Sequence, residues 1–218
     1  MTLQMSLLLW AILFVGTHFL LSHPLREPFV RSVGEGPFRA IYAAVSLITF
    51  GLMVYYYHAI GREPPLWVAG NGVWLGASLL MWFASILLVG SFFKNPAFPG
   101  ARGPKGAPIG VFKITRHPMM WSFAFWAAVH LAVVAMPKAL VLDAAIFILA
   151  LGGAAGQDRK KARLMGEAWH EWTARTAFLP FTRGVANPGA VALIGGTIFF
   201  FLITRIHPVP AGFWRWIG

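Results

Sequence analysis

The sequence predicts an all-α integral membrane bundle of six transmembrane helices, with both termini on the non-cytoplasmic side and an amphipathic helix on the cytoplasmic surface. Three observations lead there. Of the 218 residues 58% are apolar and only 11% charged, with a mean hydropathy of +0.67, which is not the composition of a soluble core. Six apolar stretches approach the roughly 20 residues needed to cross the hydrocarbon. The basic residues then alternate: fourteen of the 18 Lys and Arg fall on one set of alternate connections and four on the other. The positive-inside rule makes the richer set cytoplasmic, and a five-span or seven-span arrangement would erase the asymmetry. The whole chain, 1–218, reads as one domain in a lipid bilayer.

In chain order the spans are expected near Leu3–Ser22, Pro37–His58, Val73–Phe93, Pro118–Met136, Ala139–Gly156 and Pro188–Arg205. The first has no basic residue before it and no small-residue cleavage site after it, so it reads as a retained span. The external connections are short, Gly61–Gly72 and Pro137–Lys138, with a tail Pro208–Gly218 in which Trp214 and Trp216 suit the headgroup level. Lys94–Arg116 holds four prolines and four glycines, too many breakers for a helix. Asp158–Phe178 carries Ala162, Met165, Trp169 and Trp172 at helical spacing, and the opposite-charge pairs Arg163–Glu167 and Glu171–Arg175 four apart. It reads as an amphipathic helix lying on the inner membrane surface, with its basic face toward anionic lipid. Gly152 and Gly156 form a small-xxx-small pair that admits a neighbouring helix. Asp143, one turn into the same span, reads as a hydrated or hydrogen-bonded structural carboxylate.

Zero cysteines exclude a disulfide, a cysteine-ligated iron–sulfur cluster, a thiolate haem ligand and covalent c-type haem attachment. The net charge of +11 follows the topology and does not call for nucleic acid as a partner. Chemistry is sought among the seven histidines. His18 and His130 lie inside the first and fourth spans, where an imidazole is costly without a partner and is by default a functional-site residue. Neutral imidazoles from two helices suit the two axial positions of a haem iron. Trp126 and Phe123, four and seven residues before His130, put a flat aromatic wall on its face of the helix, suited to a porphyrin or a polyene. His117 follows Arg116 and precedes Pro118 at a helix start, where backbone donors and partial positive charge suit a phosphate, carboxylate or haem propionate. Thirteen residues separate His117 from His130, about 20 Å along a helix and roughly 140° around it, so they face different sides. His23 and His207, beside Pro24 and Pro208, read as interfacial.

The run Ile114-Thr115-Arg116-His117-Pro118-Met119-Met120-Trp121, then Trp126-Ala127-Ala128-Val129-His130-Leu131, with Gly16-Thr17-His18, Gly34-Glu35-Gly36-Pro37-Phe38-Arg39 and Pro180-Phe181, resembles the NnrU family along nearly the whole chain. That resemblance implies a multi-pass protein of the bacterial inner (cytoplasmic) membrane. It also implies a haem b held by His18 and His130, the positions matching the ligands of the family's plant zeta-carotene isomerase, and a hydrophobic polyene substrate for a cis-trans isomerase. His117 belongs to the signature motif, and Arg116 and His117 would hold a propionate or tune the site. Where the plant enzyme has a cysteine three residues before the second ligand, this chain has Ala127, which excludes thiolate–histidine exchange. The same family implies an alternative, a non-enzymatic haem protein serving nitrite and nitric oxide metabolism in denitrification. A lesser resemblance of Arg116-His117-Pro118 to membrane methyltransferases implies S-adenosylmethionine as cofactor, although Gln157-Asp158 stands in place of their acidic pair.

Overall fold

The computed structural model describes residues 1–98, 103–104 and 106–217. Among them the chain is all-helical: α1 (Leu3–Ser22), α2 (Arg26–Val33), α3 (Glu35–Ala59), α4 (Asn71–Ser91), α5 (Pro118–Val133), α6 (Pro137–Met165), α7 (Glu167–Arg175) and α8 (Ala190–Arg205), with 3₁₀ turns at Gly110–Lys113 and Gly212–Trp216. The part of the breaker-rich loop at 99–102 and 105 lies outside the described residues.

Four helices, α1, α3, α4 and α6, are long and apolar enough to cross a membrane. Their outward faces carry large side chains such as Ile12, Leu47, Leu79 and Ile148, each about half exposed or more, a surface that only lipid covers without cost. The molecule is a multi-pass membrane protein. The helices α5 and α8 are apolar but have 16 residues each, about 24 Å at 1.5 Å per residue, against roughly 30 Å of hydrocarbon. The expected fourth span, Pro118–Met136, therefore ends earlier, at Val133. Pro137 disfavours helical backbone at the residue before it, and Met136 is extended with φ −94 and ψ 140.

Two buried clusters organise the bundle. Leu7, Ala11 and Phe14 of α1 meet Met53 of α3 and Ala145 of α6. On the other side Ile86 and Leu87 of α4, Ala192 of α8 and Val111, Phe112 and Ile114 of the long loop enclose Trp169 and Trp172 of α7. The helix α5 packs between α4 and α6 and joins the two halves. Gly152 and Gly156 work as expected of a small pair: a Cβ on Gly152 would stand 2.5 Å from the Phe19 ring, and one on Gly156 would strike His23, so α1 seats its side chains in the notch on α6.

The amphipathic surface helix is corrected. Residues up to Met165 continue span five without a break, and the chain turns only at Gly166, whose φ of 55° favours glycine. What remains is the nine-residue α7, and its tryptophans are 1% and 4% exposed against protein. The helical period of those apolar residues was legible; that their partner is the Phe112 loop was not. The connection after α1 also forms the short α2, closed by Gly34 at φ 85°.

Candidate functional site

The packing defines two ends of the bundle. At one, His23 lies against Gly156 and Arg116 reaches Asp158. At the other, Leu66 donates its N–H to Ala135 O at 2.7 Å, the Trp67 indole donates to Ala132 O at 3.0 Å, and Lys138 donates its N–H to Glu63 at 2.9 Å.

His130 stands three residues before the end of α5 at the Glu63–Lys138 end. Its Nδ1 donates to Trp126 O at 2.8 Å, and the Trp126 ring stacks on it at 4.0 Å and 30°. A carbonyl only accepts, so Nδ1 carries the proton and the neutral ring leaves Nε2 bare. A cavity of about 200 Å³ opens beside it, formed by α4, α5, α8 and the final 3₁₀ turn and lined by Met81, Phe123, Trp126, Val129, Phe199 and Ile203 among others. The structure thus brings Phe123, Trp126 and His130 to one apolar wall, as their spacing predicts. It adds a residue that the sequence reading set aside as interfacial: His207 lines the same cavity, with its ring centre 6.1 Å from that of His130. No local signal marks His207; only the return of the chain after α8 places it there.

His18 is elsewhere. Four residues before the end of α1, at the His23–Gly156 end, it meets Phe14 edge-on at 4.5 Å and Tyr42 of α3 at 5.4 Å, and its Nδ1 donates to Phe14 O at 2.7 Å. The chemistry of the two expected ligands fits iron, since each ties Nδ1 to a carbonyl and keeps Nε2 bare, the usual orientation of a metal-bound imidazole. Their placement does not fit a shared iron. Two axial imidazoles on one iron hold their nitrogens about 4 Å apart, twice a metal–nitrogen bond of about 2 Å. His18 and His130 belong to opposite ends of the bundle and share no lining residue or ring contact. Among the described residues no group of three or more His, Asp or Glu gathers either.

Arg116 and His117 converge with Asp158, a residue that the sequence reading named only as a departure from a methyltransferase pattern. Arg116 Nε and Nη2 donate to the Asp158 carboxylate at 2.9 and 2.6 Å, and His117 Nε2 donates to Oδ1 at 2.8 Å. Arg116 also donates to Thr176 O at 3.2 Å, while its N–H donates to Ala177 O at 2.8 Å. The signal available in the sequence was one acidic residue where an apolar helix turns basic. Asp158 lies beyond the apolar part of α6. Burial works to raise its carboxyl, but the hydrogen bonds from His117 and Arg116 prevail and hold it below the usual carboxylate range. The guanidinium is thereby engaged with the Asp158 carboxylate and Thr176 O, and it also borders a neighbouring cavity. A second cavity of about 210 Å³ adjoins the cluster, bounded by Asn95, Phe98, His117, Met119, Met120 and Gln157.

Residues 6–214 match the sequence model of the NnrU family, described as NnrU protein. The chain belongs to the NnrU family. Among curated proteins this NnrU member is similar to the chloroplastic 15-cis-zeta-carotene isomerase of Zea mays, 28% identical over 185 residues, and to that of Arabidopsis thaliana, 27% identical over 187 residues. Each alignment covers 82% of this chain and 50% of the relative, so the NnrU chain spans about half the length of the curated relatives it matches. No solved structure matches it.

Proposed function

We propose that this NnrU protein is a membrane-embedded cis-trans isomerase acting on a polyene, with the cavity beside His130 as its working site. The observation that carries the reading is the cavity itself: an apolar, aromatic-walled space within a multi-pass bundle, with an imidazole at its edge. Similarity to two proteins named 15-cis-zeta-carotene isomerase supports the substrate class.

At about 200 Å³ the cavity is smaller than the 300–1,000 Å³ that encloses a drug-sized ligand. It admits a segment of a long chain, with the remainder lying along the lipid-facing helices. Burial of that segment follows the apolar area removed from water, and the flat ring of Trp126 favours a planar conjugated stretch over a saturated one. Isomerisation leaves the atoms of the substrate unchanged, so the site must hold the reacting double bond, exclude water and tolerate its rotation. Met81, Phe123 and Ile203 are pliant enough for that. His130 Nε2 brings an unprotonated nitrogen to the reacting segment.

The reading retains six spans, both termini outside and the basic connections in the cytoplasm, on the strength of the charge asymmetry. A haem on His18 and His130 together is not supported by their placement, and no step is routed through it. The test is incubation of purified protein in lipid with 15-cis-zeta-carotene, with isomers separated by chromatography. Conversion above the protein-free rate, reduced about tenfold or more in Trp126→Ala, is expected; no conversion would reject the isomerase.

A further inference from the structure

We propose that the gap between α5 and α8 is a lateral portal, through which an uncharged hydrocarbon polyene passes sideways from the interior of the bilayer into the cavity, with Phe123 and Phe199 at its two sides. The inference rests on that cavity being the working site, and it adds the route by which substrate arrives.

The other sides of the cavity are closed. Its floor is α4, where Ala77, Ser78 and Ser85 are 8%, 3% and 3% exposed. At the Glu63–Lys138 end the chain after α8 folds over it: a Cβ on Gly212 would stand 2.9 Å from the Phe200 ring and 3.0 Å from Thr204, and the Arg215 guanidinium lies over the Trp74 ring at 4.4 Å. At the opposite end α4, α8 and the long loop meet so closely that a Cβ on Gly90 would stand 2.4 Å from Val111 and 2.9 Å from Ala192. The helices α5 and α8 form the walls. Each packs along α4, but they scarcely touch one another.

The side facing away from α4 is therefore the open one. Its rim is exposed where the floor is not: Phe123 of α5 and Phe199 and Ile203 of α8 line the cavity and are 41%, 38% and 41% exposed. Phe123 stands five residues into α5 and Phe199 nine into α8, about 8 and 14 Å along their axes, depths at which a bilayer offers acyl chains and no water. Packed structures leave few voids, so acyl chains fill the gap when it holds no polyene, and entry exchanges one hydrocarbon for another.

The lining also selects what enters. It contains no Lys, Arg, Asp or Glu, so a charged headgroup drawn inside would be desolvated without a partner. The Ser78 and Ser85 hydroxyls already donate to carbonyls of their own helix, each at 2.8 Å, which leaves the floor apolar in effect. Two phenyl rings at the mouth offer flat faces to a conjugated chain. A hydrocarbon without a headgroup suits every part of this route.

The test uses the full chain in phosphatidylcholine vesicles and a long-chain hydrocarbon carrying a diazirine, dissolved in the bilayer, photolysed and located by mass spectrometry. Three residues of α4 are compared: Met81 in the cavity, Leu79 facing lipid at 48% exposed, and Ala84 buried at 1%. Expected is labelling of Met81 as well as Leu79, and none of Ala84. Because the chain has no cysteine, Phe123→Cys and Phe199→Cys can be bridged by a cleavable bismaleimide. The bridge lowers Met81 labelling to the level of Ala84, and cleaving it restores labelling in the same sample, which separates closure from misfolding. Phe199→Ala, which widens the mouth, raises Met81 labelling. The proposal is overturned if Met81 is labelled no more than Ala84 in the wild type, if labelling is unchanged by the bridge, or if Phe199→Ala lowers it. Labelling that follows the bridge in a protein that leaves 15-cis-zeta-carotene unchanged would retain the portal and reject the isomerase; conversion undiminished by the bridge would do the reverse.

Discussion

Asp158 shows how one side chain fastens an interface. Its carboxylate receives two donors from Arg116 and one from His117, and the side chains of Arg116 and Asp158 are only 13% and 20% exposed. Two further hydrogen bonds at that junction join neutral groups: Thr115 Oγ1 and the Trp121 indole both donate to Phe178 O, at 2.7 and 2.8 Å. Removing the carboxylate leaves a cation without its partner, so Asp158→Asn is expected to destabilise the fold by about 3 kcal/mol, read as a lowered thermal midpoint in detergent. An unchanged midpoint would reduce the cluster to a surface ion pair. The same carboxyl sets a pH dependence. Its value in the folded protein lies below the ordinary one, so its contribution is complete above about pH 4 and is lost as the pH falls through the lowered value. Asp158→Asn should therefore flatten the acid limb of the stability profile. The cluster was half legible in the sequence: Arg116-His117-Pro118 announced itself as a helix start, but its acidic partner is 41 residues from His117, and no local pattern links them.

Among the helices, closeness of approach decides the packing. Gly196 of α8 faces the backbone of α4 so tightly that a Cβ there would stand 2.5 Å from Ile86 Cα and 2.9 Å from Ser85 O. Backbone cannot swing aside as a side chain can, so Gly196→Ala must push α8 off α4 and open the cavity that both helices wall. A loss of about 1–3 kcal/mol is expected. Gly76→Ala on the same α4 meets nothing within 4 Å and should be neutral or slightly stabilising through helix propensity. Equal thermal midpoints for the two variants would contradict the close crossing. The sequence signal was strong for the long apolar helices, where composition and length leave few alternatives. It was weak for α7, because an apolar stripe at helical spacing states that a face is covered and is silent on whether lipid or protein covers it. Trp169 and Trp172 are covered by Val111, Phe112 and Ile114, which lie in a loop too rich in proline and glycine to announce itself as a packing partner.

On the scale of the whole molecule, the arrangement separates two kinds of site. The polar cluster at Asp158 lies at one end, with a basic surround of Arg159, Lys160 and Lys161; the apolar cavity with His130 and His207 lies at the other. The histidines chosen for their depth in the sequence, His18 and His130, were correctly found inside helices, but a sequence gives depth along each helix and not which two helices meet. The helices α1 and α6 run side by side in the same direction, with Phe19 against Gly152 and His23 against Gly156, and α5 returns along α6 from the Arg116–Asp158 pair to the turn before Pro137, so His18 and His130 lie at opposite ends, while the return of the chain after α8 brings His207 back to His130. The orientation of the bundle is testable because the chain has no cysteine. Single substitutions Lys113→Cys and Arg62→Cys are expected to react with a membrane-impermeant maleimide from opposite faces, Lys113→Cys only from the cytoplasmic one. Labelling of both from one face would contradict the alternating charge reading.

The central claim is that the cavity beside His130 is where a polyene segment isomerises, and filling that cavity tests it most directly. Ala77 lines it from α4, so Ala77→Phe inserts a ring into the space without touching either imidazole. Conversion of 15-cis-zeta-carotene by the lipid-reconstituted protein, measured for wild type and Ala77→Phe at matched folded concentration, is the decisive comparison. The account predicts measurable conversion by wild type and a loss of about tenfold or more in the filled variant; equal conversion by both would place the reaction elsewhere in the molecule and contradict it.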